Sequence, residues 1–156
     1  MLESDEIIYN YLIETKKNGN ELLQHFHIKY PDKNITMESN SIFVGAISSE
    51  TETETNAGTE YRDLIEILIT TKIKDYDRAV RVIKTTIREV IRVIKECPYF
   101  TPRPRVRNIS ADYDSRNYLL NRGHIMVECL SGVEDYDNPD DVKNVCKILI
   151  EDMEVE

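Results

Sequence analysis

His25 and His27 form an H-x-H pair, a spacing that sets two imidazoles on one face of a strand, where they could share a metal ion. No third ligand lies nearby in the sequence, so an ordinary surface or core histidine pair is the favoured reading. Asp112, Asp114, Arg122, His124 and Glu128 flank an expected turn and could assemble an acid–base site. Such work also needs a positioned donor and a pocket, which the sequence does not display, and a polar strand edge is the simpler reading. Asp135–Asp141 resembles a calcium loop in composition only: it lacks the glycine at the sixth position and the glutamate at the twelfth, and proline sits at the fifth. No G-x-S-x-G, P-loop or glycine-rich dinucleotide turn occurs, and five scattered glycines cannot cradle a phosphate. The expectation is a chain without catalytic residues, metal or cofactor. The alternative is a small ligand-binding or enzymatic domain with a polar site near Asp112, Arg122 and His124.

Whatever these side chains do, the stretch from Thr59 to Pro98 must position them. Asp63, Ile65, Ile67, Ile69, Thr71 and Ile73 share one parity, the period of two that marks a strand with a buried face. Leu64 and Leu68 give the other face some apolar cover and place the strand inside a sheet. At Asp75 or Asp77 a carboxylate is available to cap a helix. From there Ala79, Val80, Ile83, Ile87, Val90, Ile91 and Ile94 follow a helical stripe, and Pro98 ends it by excluding the α conformation from the residue before.

The flanking segments read more faintly. Ser4 or Asp5 starts a first helix with Ile7, Ile8, Tyr11 and Leu12 on one side, and Lys16-Lys17-Asn18-Gly19 stops it. Asn20–Phe26 suits a short second helix, Pro31–Asn34 a turn, and Ser41–Ile47 a strand. Residues 48–58, polar and acidic through Glu50, Glu52 and Glu54, read as a mobile hairpin loop. Arg105–Tyr113 and Gly123–Leu130 supply two more strands, with a turn over Asp114–Asn117. Residues 132–156 form a C-terminal extension in which Val142, Val145, Cys146 and Leu149 suit a helix, although Cys146–Ile150 equally suits a strand. The fold class expected over residues 1–156 is a single α+β domain: an N-terminal helix and about four mostly antiparallel strands packed on one long central helix.

Charge narrows the partners. At 156 residues and a formal net charge of −9, the chain repels nucleic-acid phosphates and anionic membranes on average. No run of 18 apolar residues occurs and the first residues are acidic, so a soluble cytoplasmic protein with no membrane partner is expected, with nucleic acid disfavoured. Cys97, Cys129 and Cys146 are odd in number and lack C-x-x-C spacing, which points to free buried thiols. Against this acidity, Arg78, Arg81, Lys84, Arg88, Arg92 and Lys95 recur every three or four residues along the long helix, and Arg103, Arg105 and Arg107 follow. A solvated helix face is the plain reading. The sharper one is a bipolar surface, this basic face together with Glu50, Glu52 and Glu54 and the acidic loop Glu134–Asp141, suited to head-to-tail contact between copies.

The order of elements resembles that of the tail-terminator and tail-completion (head–tail joining) proteins of long-tailed bacterial and archaeal viruses. The resemblance is carried by Ile42-Phe43-Val44-Gly45, the polar stretch to Gly58, Tyr61 to Lys74, Asp75-Tyr76-Asp77-Arg78-Ala79 and Tyr118 to Leu130. It covers most of residues 1–131, and the segment after Gly132 lies beyond it. It implies a non-enzymatic virion assembly protein of a virus or provirus. Such a protein forms a homo-oligomeric ring that ends the tail tube and contacts tail-tube or head-completion proteins. It would pass from the host cytoplasm into the virion.

Overall fold

A computed structural model describes residues 4–30, 40–55, 58–100, 102–113 and 120–134. Helix α1 spans Ser4–Lys17, and a single 3-10 turn, Leu23–His25, follows it. Strand β1 is His27–Lys29, β2 Ser41–Thr55 and β3 Gly58–Lys72. Helix α2 is Tyr76–Glu96, β4 Arg105–Tyr113 and β5 Leu120–Glu134. The strands form one five-stranded sheet in the order β1-β2-β3-β5-β4, antiparallel except for the parallel β1–β2 pair. The α+β architecture expected from the sequence is thus present.

The sheet buries one face against both helices. Ile65, Ile67 and Ile69 of β3, Ile125, Val127 and Cys129 of β5, and Ile42 and Val44 of β2 meet Ile83, Ile87, Val90, Val93 and Ile94 of α2, with Ile8 and Leu12 of α1. Val80 and Ile91, expected in the core stripe, are only half-buried, whereas Thr86 and Val93 are buried. The stripe therefore lies slightly to one side of its expected centre. Gly123 on β5 is needed for close approach: a Cβ there would stand 3.0 Å from Ile87 Cδ1 and 3.2 Å from Ile83 Cγ2. The ends of α2 match the local signals. The Asp75 side chain accepts from the Asp77 N–H at 3.2 Å, and Cys97, before Pro98, is extended at φ −60° and ψ 119°. Helix α1 unwinds through Gly19 at φ 98°, a conformation glycine adopts without a Cβ clash.

Four expectations need correction. Residues 48–55 are strand rather than hairpin loop, because their backbone pairs with β3 from Ser48 opposite Leu64 to Thr55 opposite Gly58, with one shift of register between Thr51 and Thr53. Residues Gly132–Glu134, assigned to a C-terminal extension, continue β5 opposite Glu60, Thr59 and Gly58. The helix expected over Asn20–Phe26 is reduced to the 3-10 turn. Strand β1, at three residues too short for any periodicity, raises the strand number among the described residues from about four to five. The turn at Asp114–Asn117, the acidic loop expected over Glu134–Asp141 beyond its first residue, and the possible helix or strand after Pro139 lie outside the described residues.

Candidate interaction surface

Helix α2 carries its buried residues on one side and Arg78, Arg81, Lys84, Arg88, Arg92 and Lys95, all exposed, on the other. The cations are not equivalent. The Arg92 guanidinium bonds Glu89, and its Nη1 reaches Glu96 Oε2 at 2.8 Å. Glu89 also accepts from Asn20 Nδ2 at 3.0 Å. The hydrogen bond from Arg92 is the main reason the Glu89 carboxyl titrates below its ordinary value, and burial opposes it. Arg92 is thereby neutralised within its own helix, one turn in each direction. Arg81 makes only a long 3.5 Å contact to its own helix, from Nε to the Asp77 carbonyl. Arg78, Arg88 and Lys95 complete the exposed row.

The arginines after α2 do not extend this face. Arg103 is exposed in the connection, and Arg105 lies opposite Glu128 on the sheet face turned away from the helices. Arg107 Nη1 holds Glu128 Oε1 at 2.8 Å.

Glu50, Glu52 and Glu54 stand exposed near the end of β2, away from the end that pairs with β1. Here β2, β3 and β5 run on past the helices as a three-stranded arm. From Asp63 to Gly58 the overhang is about 17 Å, at roughly 3.4 Å per residue. Glu52 pairs with Arg62, while Glu50 and Glu54 add charge on either side of it. The arm's base is fixed by Asp63, fully buried on the inner face. Its carboxylate accepts from Ser4 Oγ at 2.6 Å, Ser49 Oγ at 2.5 Å and Ser131 Oγ at 2.9 Å, which ties α1, β2 and β5 to β3.

The alternative site is assembled only in part. Asp112 and Arg122 are direct partners across β4 and β5, and His124 follows on the same face, away from the helices. The hydrogen bond of His124 is to Glu66, Nδ1 to Oε1 at 3.0 Å, which joins β5 to β3. His25 and His27 are both exposed, on the 3-10 turn and on β1. Among the described residues, no group of three or more His, Cys, Asp and Glu side chains is placed to hold a metal. Nor is any described helix long and apolar enough to cross a membrane.

The fold has a counterpart among solved structures. A chain of the virion of a native gene transfer agent particle aligns with TM-score 0.51 and 9% identity, over 81% of this chain and 94% of that one. A second solved chain aligns over 83% of this chain and 98% of its own, at 13% identity and a TM-score of 0.42 that supports no conclusion. No family model matches the chain, and no curated protein does. The first likeness is one of fold.

One feature of the surface escaped sequence reasoning. Lys16, Lys17 and Ile13 of α1, Gln24 of the 3-10 turn, and His27, Ile28 and Lys29 of β1 line a groove of about 550 Å³. Lys16 Nζ donates to the Phe26 carbonyl at 2.8 Å, which sets one wall. In sequence, Lys16-Lys17 reads as a helix stop and nothing more. The signal that could have exposed the groove is the recurrence of lysine at 29, on the next element of an acidic chain.

Proposed function

We propose that this chain is a non-enzymatic structural protein of a virus or provirus tail, forming a ring that terminates the tail tube and joins it to the head. The observation that carries the reading is the shared fold with a virion chain, aligned over 94% of that chain's length. The exposed row Arg78, Arg81, Arg88 and Lys95 on a protein of net charge −9 supports it. A concentrated basic face opposite a buried stripe gives a docking surface with a fixed direction.

On this reading the α2 face receives an acidic patch of a tail-tube or head-completion protein. The test is the variant Arg81→Glu with Arg88→Glu. Both positions are exposed, so folding stability should move by under about 0.5 kcal/mol. Tail completion in an infection assay should fail, and binding to tail-tube or head-completion proteins should be lost in sedimentation. Normal tail completion by the double variant would reduce the stripe to a solvated face. Absence of the protein from purified particles would remove the virion reading itself.

A further inference from the structure

We infer that the acidic arm of one copy seats in the lysine-lined groove of the next, so that the chain associates head to tail through these two features. The inference rests on the assembly reading above and assigns it a contact.

Charge and shape both select the groove. Lys16, Lys17 and Lys29 converge on one concavity, with Gln24 and His27 as further polar groups and Ile13 and Ile28 as an apolar floor. The α2 face, in contrast, is convex and spreads its cations along one side of a helix. The arm offers Glu50, Glu52 and Glu54 on the β2 edge, where alternating threonines keep the segment extended and narrow. The charge signs are opposite, and an extended segment fits a groove lined by a helix end and a strand.

Placement then dictates the mode. Strand β1 pairs with β2 at Ser41–Phe43, whereas the arm ends at Thr55, so the two features lie at opposite ends of one long strand. Fourteen residues separate Ser41 from Thr55, roughly 45 Å at about 3.3 Å per residue. That distance prevents an arm from reaching its own groove. A contact between different patches on two copies is heterologous, and repeats to give a closed ring or an open filament instead of a two-fold dimer.

The experiment uses three variants of the full chain, each checked for wild-type circular dichroism. Lys17→Glu with Gln24→Glu alters two exposed groove positions; Glu50→Lys with Glu54→Lys alters the arm; the third combines all four. Sedimentation velocity over a concentration series at low salt reads the association. Wild type should form concentration-dependent oligomers, and each double variant should weaken them by about tenfold or more. The fourfold variant should recover part of the association, because two introduced glutamates in the groove then face two introduced lysines on the arm. A fourfold variant as weak as either double, or doubles that associate like wild type, would overturn the arm–groove contact. Failure of this kind alongside loss of tail completion in the α2 variant would leave the virion reading standing. A wild type that stays monomeric at all concentrations would overturn the contact outright.

Discussion

Replacing Ser4 with alanine tests the energetics of the arm's base. Asp63 is completely buried, and its carboxylate is satisfied by the hydroxyls of Ser4, Ser49 and Ser131. Ser4 is itself only 1% exposed, at the start of α1, where the helix dipole also favours the negative charge. A hydrogen bond to a charged group contributes about 1.5–3 kcal/mol. No water can replace this donor without opening the core, so Ser4→Ala should cost about that much. For a domain of this size the melting temperature should fall by about 2–4 °C for each kcal/mol. Alanine also changes packing and helix propensity at the start of α1, so the single variant does not isolate the carboxylate contact. A double-mutant cycle with Asp63→Asn does. Against the neutral amide the Ser4 bond is worth only about 0.5–1.5 kcal/mol, while the other effects of the alanine are unchanged. The two substitutions should therefore couple by about 1 kcal/mol or more, measured by urea unfolding with m held as a check. Strict additivity would refute the charged hydrogen bond, and a cost below about 0.5 kcal/mol would refute the burial of Ser4 as well.

Two other predictions concern the core. Gly123→Ala should destabilise by about 1–3 kcal/mol, because its methyl presses on Ile87 Cδ1 at 3.0 Å. Ile87→Val, which removes that atom and alone costs about 0.5–1.5 kcal/mol, should recover part of the loss, and additive costs would place α2 further from β5. Burial, reinforced by the charges of Asp63 and Cys97, pushes the Cys129 thiol up to about 12 from an ordinary value of 9.0. In the folded protein it keeps its proton while the unfolded chain loses one, so this contribution to stability is full below about pH 9 and declines as pH rises towards 12. Unfolding in urea across that range should show the decline, and Cys129→Ala should flatten it; an unchanged slope in the variant would assign the titration elsewhere.

The local period of the chain sufficed for much of this fold. The alternating isoleucines of β3 and the stripe of α2 declare their buried faces, because a strand and a helix repeat side-chain direction every two and every 3.6 residues. Asp75, Pro98 and Gly19 act through their own backbone geometry and mark element ends wherever they occur. The basic row on α2 was likewise legible, as were Glu50, Glu52 and Glu54 as an acidic group. Tertiary structure decided the rest. Residues 48–55 look like a loop because their side chains are polar, and they become strand through hydrogen bonds to β3 that no local pattern announces. Asp63 sits among isoleucines in sequence, and only the convergence of Ser4, Ser49 and Ser131, from 59 residues before it to 68 after, makes a buried carboxylate tolerable there. In sequence Arg105 and Arg107 prolong the basic row, yet the register of β4 sets Arg105 opposite Glu128 on the far face, and Arg107 bonds that same glutamate. Lys17 and Lys29 are twelve residues apart in the chain and line one groove because a three-residue strand returns beside the end of α1. Charge is written in the sequence residue by residue, but a patch is a property of surfaces, and surfaces exist only once distant segments have packed.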